Sequence, residues 1–295
     1  ISSNAIYPFR TKTGGRICFL RLSPTEEKKL DDVKSEICLM EWLIDKGFPA
    51  MRPVPMKDGK LFGQINTEWG TYNVSCFEKV SGKSLEDTKG TLQIVKGYGK
   101  TLGELHALMK EYPYSEERRN HKMLLGEIEE RMQKYGASEI VRKEFEDVRK
   151  ELESLPLSTS DYGVIHYDFE PDNVFYDDKE ESFSVIDFDD ALCCWYALDV
   201  VRALDALDEV IEDVSMEEAI AGFLEGYRSA TSFTEEQQQS MMLMRRFVHL
   251  QEYTTLLHVV SEDVENMPDW MSNLSQKLKC KLRRLEESMN AGVTD

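Results

Sequence analysis

The chain has 295 residues, 41% apolar and 31% charged, which is enough for a sizeable core and for two lobes. Its 55 acidic against 36 basic residues give a formal charge of −19 and exclude nucleic acid as the main partner, because a phosphate backbone needs a basic surface. The apolar runs are short and broken by charge, so neither a membrane span nor a membrane partner is expected.

The same acidity suits a cationic small substrate, and it also serves plain solubility. The six cysteines, Cys18, Cys38, Cys76, Cys193, Cys194 and Cys280, form no CxxC pair and no zinc-spaced Cys/His cluster. A reducing cytoplasm without disulfides is the expectation. Ile1-Ser2-Ser3-Asn4 lacks the basic start and apolar stretch of a signal peptide. The chain carries no initiator Met at its first position, so its native start is expected upstream.

Taken in order, the chain begins with strands. Ile6-Tyr7-Pro8-Phe9 and Ile17-Cys18-Phe19-Leu20-Arg21-Leu22 flank the turn signal Gly14-Gly15. Val33, Ile37, Met40 and Leu43-Ile44 recur at helical spacing up to Gly47. Pro53 and Pro55 mark a loop, and residues 61–65 and 72–77 read as two further strands split by Trp69-Gly70. After Gly82 the pattern turns helical: residues 92–109, then a charged helical stretch over 123–155 punctuated by Gly136. Residues 164–190 form a strand-rich island, and from Ala197 the chain reads as helix almost to its end. The fold class expected is α+β: a small β-rich lobe over residues 1–80 and a larger, mostly helical lobe over 81–295, joined near residues 78–82.

The chemistry is concentrated in that island. His166-Tyr167-Asp168-Phe169-Glu170-Pro171-Asp172-Asn173 leads into a short strand, and an acidic turn precedes a second strand that ends in Ile186-Asp187-Phe188-Asp189-Asp190. Two short strands joined by a polar turn predict a hairpin, which places Asn173 beside Asp187 with Asp168 on the loop leading in. Phosphoryl transfer needs hard oxygen ligands for a cation that neutralises phosphate charge, and a further carboxylate to take the proton of the attacking hydroxyl. The spacing His-x-Asp-x-x-x-x-Asn followed by Ile-Asp-Phe-Asp fits the catalytic loop and metal-binding segment of kinases.

On these residues the chain resembles the aminoglycoside phosphotransferase family, which is related to the choline, homoserine and methylthioribose kinases. The resemblance implies a bilobal protein-kinase-like fold and phosphate transfer from ATP, with GTP as an alternative, to a small-molecule hydroxyl with Mg2+. It assigns Asp168 as catalytic base, His166 as the catalytic-loop histidine, and Asn173 and Asp187 as metal ligands. Asp189 either assists the metal or caps the turn, and Asp199 braces the catalytic loop. Arg21 takes the place of the strand lysine of protein kinases. Its expected ion-pair partner is Glu36, with Glu41 as the alternative. Ser2, Ser3 and Asn4 resemble a phosphate loop; if they match, the strand that should precede that loop is absent from the sequence. The backbone of Phe77, Glu78 and Lys79 resembles an adenine-binding hinge, with Phe77 either stacking on the base or buried.

Arg245, Arg246, Phe247, Glu252, Tyr253 and Trp270 are candidates to line an acceptor site, or simply core and surface. The basic run Lys277-Leu278-Lys279-Cys280-Lys281-Leu282-Arg283-Arg284 reads as a surface helix. A monomer or weak homodimer is expected. Two other readings remain: a Ser/Thr protein kinase, weakened by the lack of a long segment between Asp187 and Ala197, and a catalytically silent nucleotide-binding module.

Overall fold

The computed structural model describes residues 4–12, 14–115, 118–261 and 269–291, with side chains from residue 273 in the last stretch. The chain divides into two compact units, each drawn from separated stretches: Ile1–Pro113, His166–Ala191 and Ala203–Ser232 in the first, and Tyr114–Ile165, Leu192–Arg202 and Phe233–Asp295 in the second. The first unit groups the candidate catalytic hairpin and two long helices with the amino-terminal sheet.

In the first unit, β1(Ala5–Arg10), β2(Ile17–Pro24), β3(Phe62–Thr67) and β4(Gly70–Glu78) make an antiparallel sheet in the order β1-β2-β4-β3. Helix α1(Leu30–Asp45) buries Val33, Ile37, Met40 and Leu43, the positions whose period foretold it, and buries Glu36 with them. On β2 the side chains alternate between faces, so Arg21 points to the same side as Phe19 and Ser23.

The loop after α1 acts as a backbone tie. Its Met51 N–H donates to the Val185 carbonyl (2.8 Å) and its Val54 N–H to the Cys76 carbonyl on β4 (2.8 Å). It also accepts, at the Pro49 carbonyl from Val185 (3.0 Å) and at the Arg52 carbonyl from Glu78 (2.9 Å). The predicted hairpin is present: β7(Val174–Asp177) pairs with β8(Ser182–Val185), Val174 opposite Val185, and β5(Lys83–Ser84) adds a third strand. Below it α2(Leu92–Met109) packs closely on α6(Met216–Ala230), with glycines at the contact. A Cβ on Gly99 would lie 2.0 Å from the Phe223 carbonyl oxygen, and one on Gly226 would lie 2.0 Å from that of Lys96.

In the second unit, β6(Tyr162–Ile165) pairs with the fully buried β9(Leu192–Trp195), a pair the sequence did not reveal. Helix α3(His121–Tyr135) is capped by Asn120 and ends at Gly136 in the left-handed conformation, the predicted break. Helix α4(Glu139–Glu153) follows, capped by Ser138, and α7(Glu235–Ser261) and α8(Asp269–Ala291) complete the unit. α5(Tyr196–Asp205) follows β9 and contributes residues to both units. Among the described residues no helix is long and apolar enough to cross a membrane.

Candidate active site

The site is assembled by backbone first. The Ile186 N–H donates to the Asn173 carbonyl (3.0 Å), so the residues just before β7 and just after β8 lie side by side. His166, fully buried, donates from Nε2 to the Ile186 carbonyl (2.9 Å). Its ring is flanked by Phe188 (centroids 4.6 Å apart) and Phe169 (5.7 Å). Held this way, His166 ties the segment that carries Asp168 to the one that carries Asp187. Phe169 is fixed in turn by Tyr98 of α2, which stacks on its ring and donates to its carbonyl (2.7 Å).

Asn173 is buried, and its Nδ2 donates to the Asp168 carboxylate Oδ2 (2.9 Å) and to the Asp168 carbonyl (3.0 Å). The amide thus orients the carboxylate and turns its own Oδ1, a hard donor, the other way. Two residues here adopt left-handed backbone, Tyr167 (φ +73°) and Asp187 (φ +58°). For side chains other than glycine that conformation costs about 1–3 kcal/mol and persists only where the surroundings enforce it. Tyr167 directly precedes the candidate base, and Asp187 is itself a candidate metal ligand.

Behind Asp187 stands a buried ion pair. Arg21 is 3% exposed and Glu36 1%. The guanidinium donates to both Glu36 oxygens (2.9 and 2.5 Å) and through Nε to Ser75 Oγ (3.2 Å), and it lies over the Phe77 ring at 4.9 Å. Glu36, not Glu41, is therefore the partner. Phe77 is buried, with its ring beneath this guanidinium. Arg21 Nη1 reaches to 3.9 Å from Asp187 and 4.0 Å from Asp189.

Asp189 is more tightly held. Its Oδ2 accepts from Asn4 Nδ2 (3.0 Å) and from Lys28 Nζ (2.9 Å), and Lys28 also donates to the Asp189 carbonyl (2.8 Å). Burial alone would raise the Asp189 carboxyl, but Lys28, Arg21 and Asn4 hold it below its ordinary value. Asp187 goes the other way: desolvation, then the adjacent Asp189 carboxylate, push it up to about 7 against the pull of Arg21. A cation at Asp187 would oppose that shift, and 42% of its side chain is open for one to approach.

The N–H groups of Glu78 and Lys79 donate to the Arg52 and Ile17 carbonyls. Ser2 and Ser3 lie outside the described residues, and of that loop Asn4 alone is placed. Asp199 sits fully buried in the first turn of α5, in the second unit. Phe247 and Tyr253 are core residues, Arg246 is forked onto Glu144 and Glu151, Glu252 pairs with Lys281, and the side chain of Trp270 is outside the described set. Lys28 escaped the sequence reading, because a lysine in a turn before a helix carries no signal of its partner.

Against known proteins, the model of the phosphotransferase enzyme family (APH) matches residues 2–237. The chain belongs to the phosphotransferase enzyme family. Among its relatives in that family, the homoserine kinase of Agrobacterium fabrum (strain C58 / ATCC 33970) is 27% identical over 272 residues, 88% of this chain and 77% of the relative. The amicoumacin kinase of Bacillus subtilis (strain 168) is 22% identical over 184 residues, 61% of this chain, and the match spans only 54% of that relative's length. The fold is that of a solved amicoumacin kinase, hAmiN, in complex with AMP-PNP, Ca2+ and Ami (TM-score 0.83, 19% identity, 99% of this chain and 86% of that one). A microcompartment-associated aminopropanol kinase shares it (TM-score 0.74, 20% identity, 99% and 91%). The α+β architecture of a small antiparallel sheet and a helical remainder is thus the fold of these phosphotransferases.

Among the described residues no group of three or more His, Cys, Asp or Glu side chains could hold a metal alone. Asn173 Oδ1 and the Asp187 carboxylate nonetheless suit the cation that a phosphotransferase employs. A hard cation in such sites takes one or two protein carboxylates and completes its shell with phosphate oxygens and water.

Proposed function

We propose that this chain transfers the γ-phosphoryl group of ATP, or of GTP, to a hydroxyl of a small molecule, with Mg2+ held by Asn173 and Asp187. The observation that carries this reading is the gathering of Asp168, Asn173 and the Asp187 segment at the open end of one hairpin, backed by the buried Arg21–Glu36 pair, in a member of the phosphotransferase family.

Asp168 accepts the acceptor's proton as the hydroxyl oxygen bonds to phosphorus and the bond to the departing nucleoside diphosphate breaks. Asn173 keeps the carboxylate turned for that transfer, and His166 and Phe188 keep the loop and the Asp187 segment in register. A cation held by Asn173 and Asp187 would neutralise phosphate charge during transfer. Arg21, immobilised by Glu36, supports Asp187 from behind. Residues 1–80 hold the nucleotide, and 81–295 carry the catalytic groups and the acceptor site. The charge of −19 supports a cationic acceptor. A monomer or weak homodimer in the cytoplasm completes the reading.

The test is a thermal-shift series with ATP and GTP, each with and without Mg2+, followed by phosphate-transfer assays on amino alcohols and amino sugars. Stabilisation by nucleotide that depends on the cation, with turnover on one acceptor class, is expected. Asp168→Ala should then lower turnover about 100- to 10,000-fold while nucleotide binding stays within a few-fold. Nucleotide binding by the unaltered chain without turnover on any acceptor would support a silent module instead.

A further inference from the structure

The site holds two cations, and they are built for different tasks. Arg21 is fully engaged: both terminal nitrogens face Glu36, Nε faces Ser75, its plane covers Phe77, and 3% of it is exposed. Turning it toward a nucleotide would strand Glu36 as a buried, unpaired carboxylate. Lys28 is different. Its backbone is anchored, with its N–H donating to the Pro24 carbonyl (3.0 Å) and its carbonyl accepting from Asn73 Nδ2 (2.6 Å). Asn73 is itself held by Gln64 (3.0 Å). Among the described residues the Lys28 side chain ends on Asp189 alone, through carboxylate and carbonyl, and is 15% exposed. Four rotatable carbons on a fixed base let the ammonium swing by several ångströms at little cost, which a guanidinium forked onto a carboxylate cannot do.

Charge points the same way. Glu36, Asp189 and, once ionised, Asp187 supply up to three negative groups, against Arg21 and Lys28. A nucleoside triphosphate with one divalent cation adds about two further negative charges, since the triphosphate carries about four. Asp189 already has Asn4 on the same oxygen and Arg21 nearby, so it tolerates release of the ammonium.

We propose that Lys28 is the phosphate-binding cation of this site, parked on Asp189 in the free protein and transferred to the β- and γ-phosphate oxygens when the metal–nucleotide complex enters, with Arg21 serving as a fixed post. The inference rests on the nucleotide-site reading above.

It is tested by calorimetric titration of AMP-PNP with Mg2+, and of adenosine, into four proteins: the unaltered chain, Lys28→Met, Asp189→Asn, and the double variant. The double variant removes both members of the pair, leaves no buried charge unmatched, and guards against a fold defect in Lys28→Met alone. The expected result is that Lys28→Met weakens AMP-PNP binding threefold or more both in the unaltered background and in the Asp189→Asn background, with adenosine binding unchanged. A loss only where Asp189 is present would make Lys28 merely its counter-ion and overturn the proposal. So would a loss below threefold in both backgrounds, or an equal loss for adenosine. Failure of the unaltered chain to bind AMP-PNP at all would instead overturn the nucleotide-site reading, and this inference with it.

Discussion

Arg21 shows what one buried charge demands of its neighbours. Replacing Glu36 by Ala leaves the guanidinium without its counter-ion in a site 3% exposed, and a cost of about 3–5 kcal/mol is expected from breaking such a pair. Urea unfolding should show a lower midpoint with an unchanged slope. Arg21→Lys keeps the charge but loses the fork, the Ser75 bond and the ring contact, and should cost less than Glu36→Ala. An equal or larger loss would mean that geometry outweighs charge here. A second residue gives a pH signature. Burial, then Lys122, hold His121 well below its ordinary value, at about 4. The Tyr162 hydroxyl donates to the Cys193 carbonyl, so neutral His121 donates from Nδ1 to Tyr162 (2.7 Å). The folded ring resists a proton that the unfolded ring takes up below pH 6.5. Its contribution is therefore complete above pH 6.5 and is lost as pH falls toward 4, by at most about 3 kcal/mol. In His121→Phe the fall of unfolding free energy over that interval should be shallower than in the unaltered chain; identical slopes would remove His121 from the account.

At the scale of elements, glycine separates two cases. On α2, Gly99→Ala would drive a Cβ against the Phe223 backbone, and a loss on the order of 1–3 kcal/mol or more is expected. On α3, a methyl group at Gly126 would meet nothing within 4 Å, so Gly126→Ala should raise stability by about 0.5–1 kcal/mol through helix propensity. A melting temperature that rises for Gly99→Ala as well would refute the close α2–α6 contact. The same scale explains what the sequence revealed. The sheet strands, α1, α2 and the α3–Gly136–α4 break were legible because apolar spacing and turn residues are local signals. So was the hairpin that joins Asn173 to the Asp187 segment, since two strands and a polar turn leave no other pairing. The tie formed by residues 49–54 was not, because it consists of backbone hydrogen bonds that any side chains permit. For the same reason nothing in Glu78 or Lys79 reveals that their N–H groups donate to Arg52 and Ile17. Lys28 and the left-handed Tyr167 depend on where distant segments end up, which periodicity does not record.

For the whole molecule, the excess of 55 acidic over 36 basic residues means net self-repulsion in the folded state. Raising NaCl from about 10 to about 150 mM shortens the screening length from about 30 to about 8 Å, and the melting temperature should rise. A fall would show that favourable surface pairs outweigh the net charge. The unit that holds the candidate site is also discontinuous, resuming after residue 165 and again after residue 202. This has a consequence in time. On the ribosome, Arg21 and Glu36 emerge 15 residues apart and can meet early, yet Asp187 and Asp189 follow about 150 residues later, on the order of ten seconds at usual synthesis rates. Until then the first four strands lack the β8 partner of the 49–54 tie, and α2 waits still longer for α6. A nascent chain at that stage displays an unfinished sheet and a bare glycine-lined helix face, and that is the interval in which it most needs shelter by a chaperone.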